Sequence, residues 1–155
     1  MTHPPTVPTL SPAFDVVVQL GPMADHGLTR AGHRRVIPIV GGRISGALDA
    51  EILPGGADWQ LVRPDGAIEI DGRYTASTPD GDHLYLQVTG VRTGPTEVLA
   101  ALLRGDDVAP DQYYFRTVVT IETASSRLAH LEHAVFVASC VRDADAVRYA
   151  AYRVT

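Results

Sequence analysis

Two Pro-Asp-Gly clusters, at residues 64–66 and 79–81, restrict what this chain can fold into more than any other feature. In each cluster the proline presets φ and the glycine supplies the positive φ of a bulged turn. The residues on both sides alternate between apolar and polar, which is the period of a half-buried strand. The clusters therefore predict two consecutive β-hairpins, with antiparallel pairing from Asp58 to about Arg92.

Short runs with strand periodicity also occupy most of the remaining chain. They cover residues 14–20, 35–39, 43–53, 113–123, 134–142 and 147–154. Residues 21–32 are rich in glycine and predict a long loop. The pair Gly41-Gly42 inside a β pattern predicts a bulge or a close approach of two backbones.

One segment changes to helical spacing. Thr96 can cap a short helix, Gly105 can end it, and a single apolar stripe runs between them, made of Val98, Leu99, Leu102 and Leu103. The chain thus has eight to ten strands, one short helix and no α-β alternation. This count predicts an all-β fold, an antiparallel β-barrel, with a β-sandwich as the alternative.

Length and composition limit the domain organisation and the partners. A chain of 155 residues fits one domain, which we place at residues 13–155. Residues 1–12 carry four prolines and predict an extended or disordered tail. A net charge of -5 with scattered arginines argues against nucleic acid or an anionic membrane as a partner. The single Cys140, predicted to be buried, and the lack of an apolar span favour a cytoplasmic protein.

Several short motifs resemble those of the domain-of-unknown-function 3237 family, also called uncharacterised protein family 0311. They are Gly41-Gly42-Arg43, L-P-G-G-A-D-W-Q at 53–60, Asp65-Gly66, D-G-R-Y at 71–74, Asp80-Gly81, Y-F-R-T at 114–117, Glu122-Thr123 and Phe136-Val137. The resemblance implies a lipocalin-like barrel, often a homo-oligomer, with no settled activity. The chain departs from the family at residues 128–132, where Trp-Leu-Asn is expected.

Charged residues at every-other spacing form the candidate site. We assign catalytic roles to Asp71, Glu122, Arg73 and Arg116, and ligand binding to Arg43, Asp58, Trp59, Gln60, Glu69, Tyr74 and Tyr114. If this face is the barrel interior, pairing with arginine keeps one carboxylate ionised while desolvation raises the pKa of an unpaired one. The alternative is that this face is solvated and its apolar neighbours fill the core. The resemblance favours a functional role, because the four catalytic candidates fall within its motifs.

Other kinds of site are not supported by the sequence. His130 and His133 lack a third ligand at metal-binding spacing, so we predict no metal. The glycine-rich segments lack the Lys-Ser/Thr ending of a phosphate loop, and we predict no cofactor. No exposed serine elbow of a Ser-His-Asp triad is present.

Three functions remain open at this point. The first is a cofactor-independent enzyme that transfers protons on a small organic molecule inside the barrel, catalysing isomerisation, cyclisation, elimination or hydration. The second is a carrier or sensor that binds the molecule unchanged. The third is an assembly module with a packed interior. Apolar or unpaired surface near the chain ends, together with the resemblance, also predicts a homodimer.

Overall fold

Strands dominate the protein, for which a computed structural model describes residues 2–155. In chain order the elements are β1 (Leu10–Leu20), β2 (Ala24–Thr29), β3 (Gly32–Gly46), β4 (Ala50–Ile52), β5 (Gly56–Val62), β6 (Ile68–Ser77), β7 (His83–Thr93), α1 (Thr96–Arg104), β8 (Tyr114–Thr123), β9 (Val135–Arg142) and β10 (Ala146–Val154). Two 3₁₀ segments, Pro110–Gln112 and Ser126–Glu132, flank β8.

The strands form one closed antiparallel sheet. From β1 the hydrogen-bonded order runs through β10, β9, β8, β7, β6, β4 and β3, and β1 also pairs with β3, which closes the ring. The short β5 lies between β3 and β6, and β2 pairs with β3. The architecture is an eight-stranded antiparallel barrel with two additional strands and one short helix. The prediction of a barrel is confirmed, and the sandwich alternative is not.

Turn chemistry predicted the hairpins correctly. Gly66 has φ 87° and donates its N–H to the carbonyl of Arg63, while Gly81 has φ 86° and donates to the carbonyl of Thr78. The expected close approach at Gly42 is also present, because a Cβ built there would lie 2.1 Å from the carbonyl oxygen of Val17. Two boundaries differ from the sequence-based expectation. Strand β1 begins at Leu10, inside the predicted tail, and β2 lies in the predicted loop.

Alternation along each strand separates the core from the surface. In β8 the residues Phe115, Val119 and Ile121 are at most 3 % exposed, whereas the intervening side chains are exposed. Apolar residues on the inner face of every long strand join one cluster, which includes Cys140 as predicted. The core therefore fills most of the barrel interior.

Helix α1 connects β7 to β8, and its residues Val98, Leu99 and Leu102 pack in or against the core cluster. Its N-cap is Pro95 rather than the predicted Thr96, and no side chain caps it; its C-cap is Gly105 with φ 84°, as expected. Leu102 is 2 % exposed within the core, and the next residue, Leu103, is 51 % exposed. No helix in residues 2–155 has the length and hydropathy needed to cross a membrane.

We expect Leu102→Ala to lower the free energy of unfolding by about 2–4 kcal/mol, because it removes a buried side chain and leaves a cavity. Leu103→Ala is the matched control, since it makes the same change on the exposed face and should alter stability by about 0.5 kcal/mol or less. Urea denaturation measures both values. Equal effects would mean that α1 does not pack on the barrel.

Candidate functional site

The predicted catalytic pair on β6 lies on the outside of the barrel. Arg73 donates from Nε and Nη2 to the two carboxylate oxygens of Asp71, at 3.2 and 3.0 Å. Their side chains are 50 % and 33 % exposed. This pairing lowers the pKa of Asp71. An exposed carboxylate held ionised by arginine is a weak base, so the predicted role for Asp71 loses its physical basis.

Most of the other predicted residues of the charged face also point outward. Arg43 forms an exposed ion pair with Asp49, with 2.6 Å between Nη2 and Oδ1. On β8 the exposed residues include Tyr114, Arg116 and Glu122. Glu69 is half-exposed, near Arg63. The structure thus decides between the two orientations that the sequence left open: this face is the solvated surface, and it does not bring the predicted catalytic groups into a common interior.

The predicted aromatic wall is also divided between the two sides of the barrel. Trp59 is 38 % exposed on the outer face, whereas Tyr74 is 5 % exposed inside. Both residues nevertheless border one open depression on the barrel surface, together with Arg73 and Tyr85.

Asp58 is the predicted carboxylate that does lie inside the barrel. It stands opposite Gly72 in the pairing of β5 with β6, and residues directly opposite each other share a face. That face carries Ile70 and Tyr74, while Asp71 lies on the other side. Gln60 follows Asp58 on the inner face and is 2 % exposed. The register between β5 and β6 sets Asp58 opposite Gly72, so even spacing within each strand did not place Asp58 and Asp71 on the same face.

The carboxylate of Asp58 is held by two hydrogen bonds. Gln60 donates from Nε2 to Oδ2 at 2.8 Å, and the backbone N–H of Asp71 donates to Oδ1 at 3.0 Å. Burial raises the pKa of Asp58, and these two donors and the charge of Arg92 only partly oppose that effect. Asp58 is therefore a half-buried carboxyl group that faces the barrel interior, is held by two hydrogen bonds and has a raised pKa.

Inward-facing arginines lie near Asp58 at the same end of the barrel, and one of them is fully buried. Arg92 is 5 % exposed, and its Nε and Nη1 atoms have no hydrogen-bond partner. Its Cζ lies 5.1 Å from the centroid of the Phe115 ring. Burial, followed by the charge of Arg142, lowers the pKa of Arg92 to about 10. Arg35 also has an unpartnered buried atom, Nε.

Sequence analysis missed these arginines, although one signal was available. Arg92 follows Leu84, Leu86 and Val88 at even spacing on β7, so it occupies a position of the inward-facing series. A charged residue at a core position is rare unless it is paired, and this rarity marks a candidate site.

Asp58 borders a cavity inside the barrel. The space available to a water-sized sphere is about 40 Å³, and the walls are mostly apolar. Two tyrosines from distant parts of the chain also line it, and the hydroxyl groups of Tyr74 and Tyr149 are hydrogen-bonded to each other. Burial raises the pKa of both tyrosines, so both remain protonated at neutral pH. Cys140 lines the cavity too, and burial raises its pKa to about 11.

Residues 8–154 match the sequence model of a protein family described as "Protein of unknown function (DUF3237)". The chain belongs to the DUF3237 family. A UPF0311 protein of Bradyrhizobium diazoefficiens is 41 % identical over 134 residues, which cover 86 % of this chain and 88 % of the relative.

Solved structures agree with this assignment. The crystal structure of a conserved protein of unknown function from Rhodopseudomonas palustris has a TM-score of 0.89 and 37 % identity, covering 97 % of this chain and all of that one. An enzyme from Penicillium herquei has a TM-score of 0.72 at 18 % identity, with full coverage of both chains. At that identity the likeness shows the fold alone.

In this DUF3237 protein the interior combines three kinds of polar group in an apolar space. A carboxyl group with a raised pKa can accept a proton, neutral phenols can donate hydrogen bonds to a developing oxyanion, and buried guanidinium groups can pair with an anion. The site is therefore assembled from Asp58, the tyrosine pair and the arginines, rather than from the outer face of β6 and β8.

Proposed function

We propose that the protein is a cofactor-independent enzyme that isomerises a small carbonyl compound by proton transfer. The observation that carries this proposal is that Asp58, with its raised pKa, borders the same apolar cavity as the hydrogen-bonded hydroxyls of Tyr74 and Tyr149. Pairs of titratable groups in contrasting environments are typical of acid-base sites.

In the proposed reaction Asp58 removes a proton from a carbon next to the carbonyl group of the substrate. The electrons of the broken C–H bond form a carbon-carbon double bond, and those of the C=O π bond move to the oxygen, giving an enolate. The carboxylic acid of Asp58 then returns the proton to a different atom, which completes the isomerisation. Desolvation makes Asp58 a stronger base near neutral pH than an exposed aspartate.

The tyrosine pair serves as the donor to the enolate oxygen. One hydroxyl donates to the other, and the second keeps its own proton free for the substrate. Donors fixed in a dry site stabilise charge that develops in the transition state without having to reorganise. The raised pKa values of Tyr74 and Tyr149 keep these donors neutral.

Deuterium exchange at carbon tests the proposal without knowledge of the natural substrate. Cyclohexanone and 2-oxobutanoate, incubated with the protein in D₂O, should lose the NMR signal of their α-protons faster than in buffer or with heat-denatured protein. The two probes are of similar size, and only the second is charged. If neither exchanges faster with the native protein, the proposed function is wrong.

An assembly module is the second candidate, and the small size of the cavity favours it. About 40 Å³ holds a few water molecules, whereas ligand pockets usually measure about 300–1,000 Å³. An enzyme of this kind has to enlarge the cavity to admit its substrate. Light scattering that gives a multiple of 16.6 kDa, with no exchange and no retained ligand, would support the module and the predicted homodimer. A ligand retained without exchange would indicate a carrier.

A further inference from the structure

We infer that Arg92, Arg142 and Arg35 form a carboxylate-binding site at the α1 end of the cavity, so that the substrate of the proposed enzyme is a small organic carboxylate. The identification of the bound carboxylate as a substrate rests on the proposed function. The binding site itself depends only on the arginines.

Arg92 provides the main evidence for this site. It is 5 % exposed, and neither Nε nor Nη1 has a partner among the described residues. A buried donor without an acceptor costs free energy, and a buried charge without a counter-charge costs more. An anion bound next to Arg92 would remove both costs.

The nearest candidate counter-charge inside the barrel is already engaged. Asp58 accepts hydrogen bonds from Gln60 and from the backbone of Asp71, and no ion pair joins it to Arg92 within residues 2–155. Arg142 and Arg35 add further positive charge at this end of the barrel. Asp143 and Asp145 partly offset the charge of Arg142. The unpaired positive charge is therefore concentrated at Arg92, whose Nε and Nη1 atoms have no partner among the described residues.

The strand ends hold the arginines together. Arg92 lies near the end of β7, and Arg142 ends β9, where its backbone N–H donates to the hydroxyl of Tyr113 at 3.1 Å. Arg142 also donates from Nη1 to the carbonyl of Asp143. Arg35 stands opposite Gln60 in the pairing of β3 with β5. Strand pairing thus holds the three backbones at one end of the barrel, and the guanidinium group of Arg142 is further held by the carbonyl of Asp143. Such preorganisation favours binding.

A carboxylate fits this site for two reasons. The planar guanidinium group matches the two oxygens of a carboxylate. In addition, Phe115 contacts Arg92 and lines the cavity that Asp58 borders, so a carboxylate held by the arginines directs the rest of a short molecule toward the base. The expected substrate is a small 2-oxo or 3-oxo acid.

The binding test uses butanoate and its uncharged amide, butanamide. Calorimetry and the Nε–Hε NMR signal of Arg92 should show butanoate binding at least about tenfold more tightly than butanamide. Arg92→Met should abolish that preference. Arg73→Met, which removes an exposed arginine of the outer face, should retain it. Thermal unfolding shows whether each variant is folded. If Arg92→Met does not fold, Arg142→Met provides a second test of the same preference.

Asp58→Asn separates this inference from the proposed function. Removing the negative charge should leave butanoate binding unchanged or strengthen it, although the variant lacks the proposed base. If cyclohexanone exchanges but butanoate binds no better than butanamide, the carboxylate site is wrong and the proposed function stands. If butanoate binds selectively but no probe exchanges, the site stands and the proposed function fails. Inorganic phosphate binding more tightly than butanoate would overturn the assignment to a carboxylate.

Discussion

Asp58→Asn is expected to slow the exchange of α-protons on 2-oxobutanoate at least about a hundredfold, which is the usual contribution of a general base. Asparagine keeps the shape of the side chain and can still accept the hydrogen bond from the backbone N–H of Asp71. Gln60 can rotate its amide to accept rather than donate. The variant therefore loses the ability to take up a proton while the barrel remains folded.

Asp71→Asn is the matched control for this experiment. It makes the same substitution on the neighbouring strand, at a carboxylate that faces outward and pairs with Arg73. We expect little change in its exchange rate. The wild-type rate should also rise with pH, because the base works only when ionised, and the midpoint should lie above the ordinary aspartate pKa of 3.8. Equal losses in the two variants would contradict the assignment of Asp58 as the base.

Gly42→Ala is expected to lower the free energy of unfolding by about 3–5 kcal/mol, the largest effect on stability that we predict. Gly42 has φ 142°, a conformation that other residues rarely adopt. A Cβ there would also lie 2.1 Å from the carbonyl oxygen of Val17 and 3.0 Å from Cδ1 of Ile52. The backbone of β1 would have to move, and this strand closes the barrel against β3.

Two further glycines separate the contributions of strain and contact. Gly55 has φ 117° but no atom within 4 Å of a built Cβ, so Gly55→Ala should cost only the backbone strain, about 1–3 kcal/mol. At Gly72 the nearest atoms lie 3.8 Å away and φ is ordinary, so Gly72→Ala should be nearly neutral. Urea unfolding should rank Gly42→Ala as most destabilising and Gly72→Ala as least. Equal costs at Gly42 and Gly55 would mean that the contact with Val17 is unimportant.

Local chemistry was sufficient to predict much of the fold. The turns at residues 64–66 and 79–81 and the helix ending at Gly105 depend on residues close together in sequence. Strand β2 was missed because the residues of Ala24–Thr29 do not alternate between apolar and polar. This segment becomes a strand through its pairing with β3. Such tertiary effects on strand formation cannot be read from one segment alone.

The site was harder to predict than the fold. On β6 every second residue is apolar, and these residues correctly indicated the core face. The charged residues between them therefore had to face solvent. The functional candidates are instead exceptions to the alternation, with Asp58 and Arg92 at positions where a strand normally buries an apolar side chain. The contact between Tyr74 and Tyr149 joins β6 to β10, and no pattern within either strand could reveal it. Prediction fails here because the site depends on how strands meet around the barrel.

The pairing of the first strand with the last has a consequence for folding kinetics. Val16 on β1 lies opposite Tyr149 on β10, so the ring cannot close until almost the whole chain has been brought together. Bringing distant segments together carries a large loop-closure entropy, and domains of high contact order fold in about milliseconds to seconds rather than microseconds. The hairpins around Gly66 and Gly81 can form early. We expect the joining of β1 to β10 to be the slow step of folding, and until it occurs each strand exposes an unpaired edge to other chains.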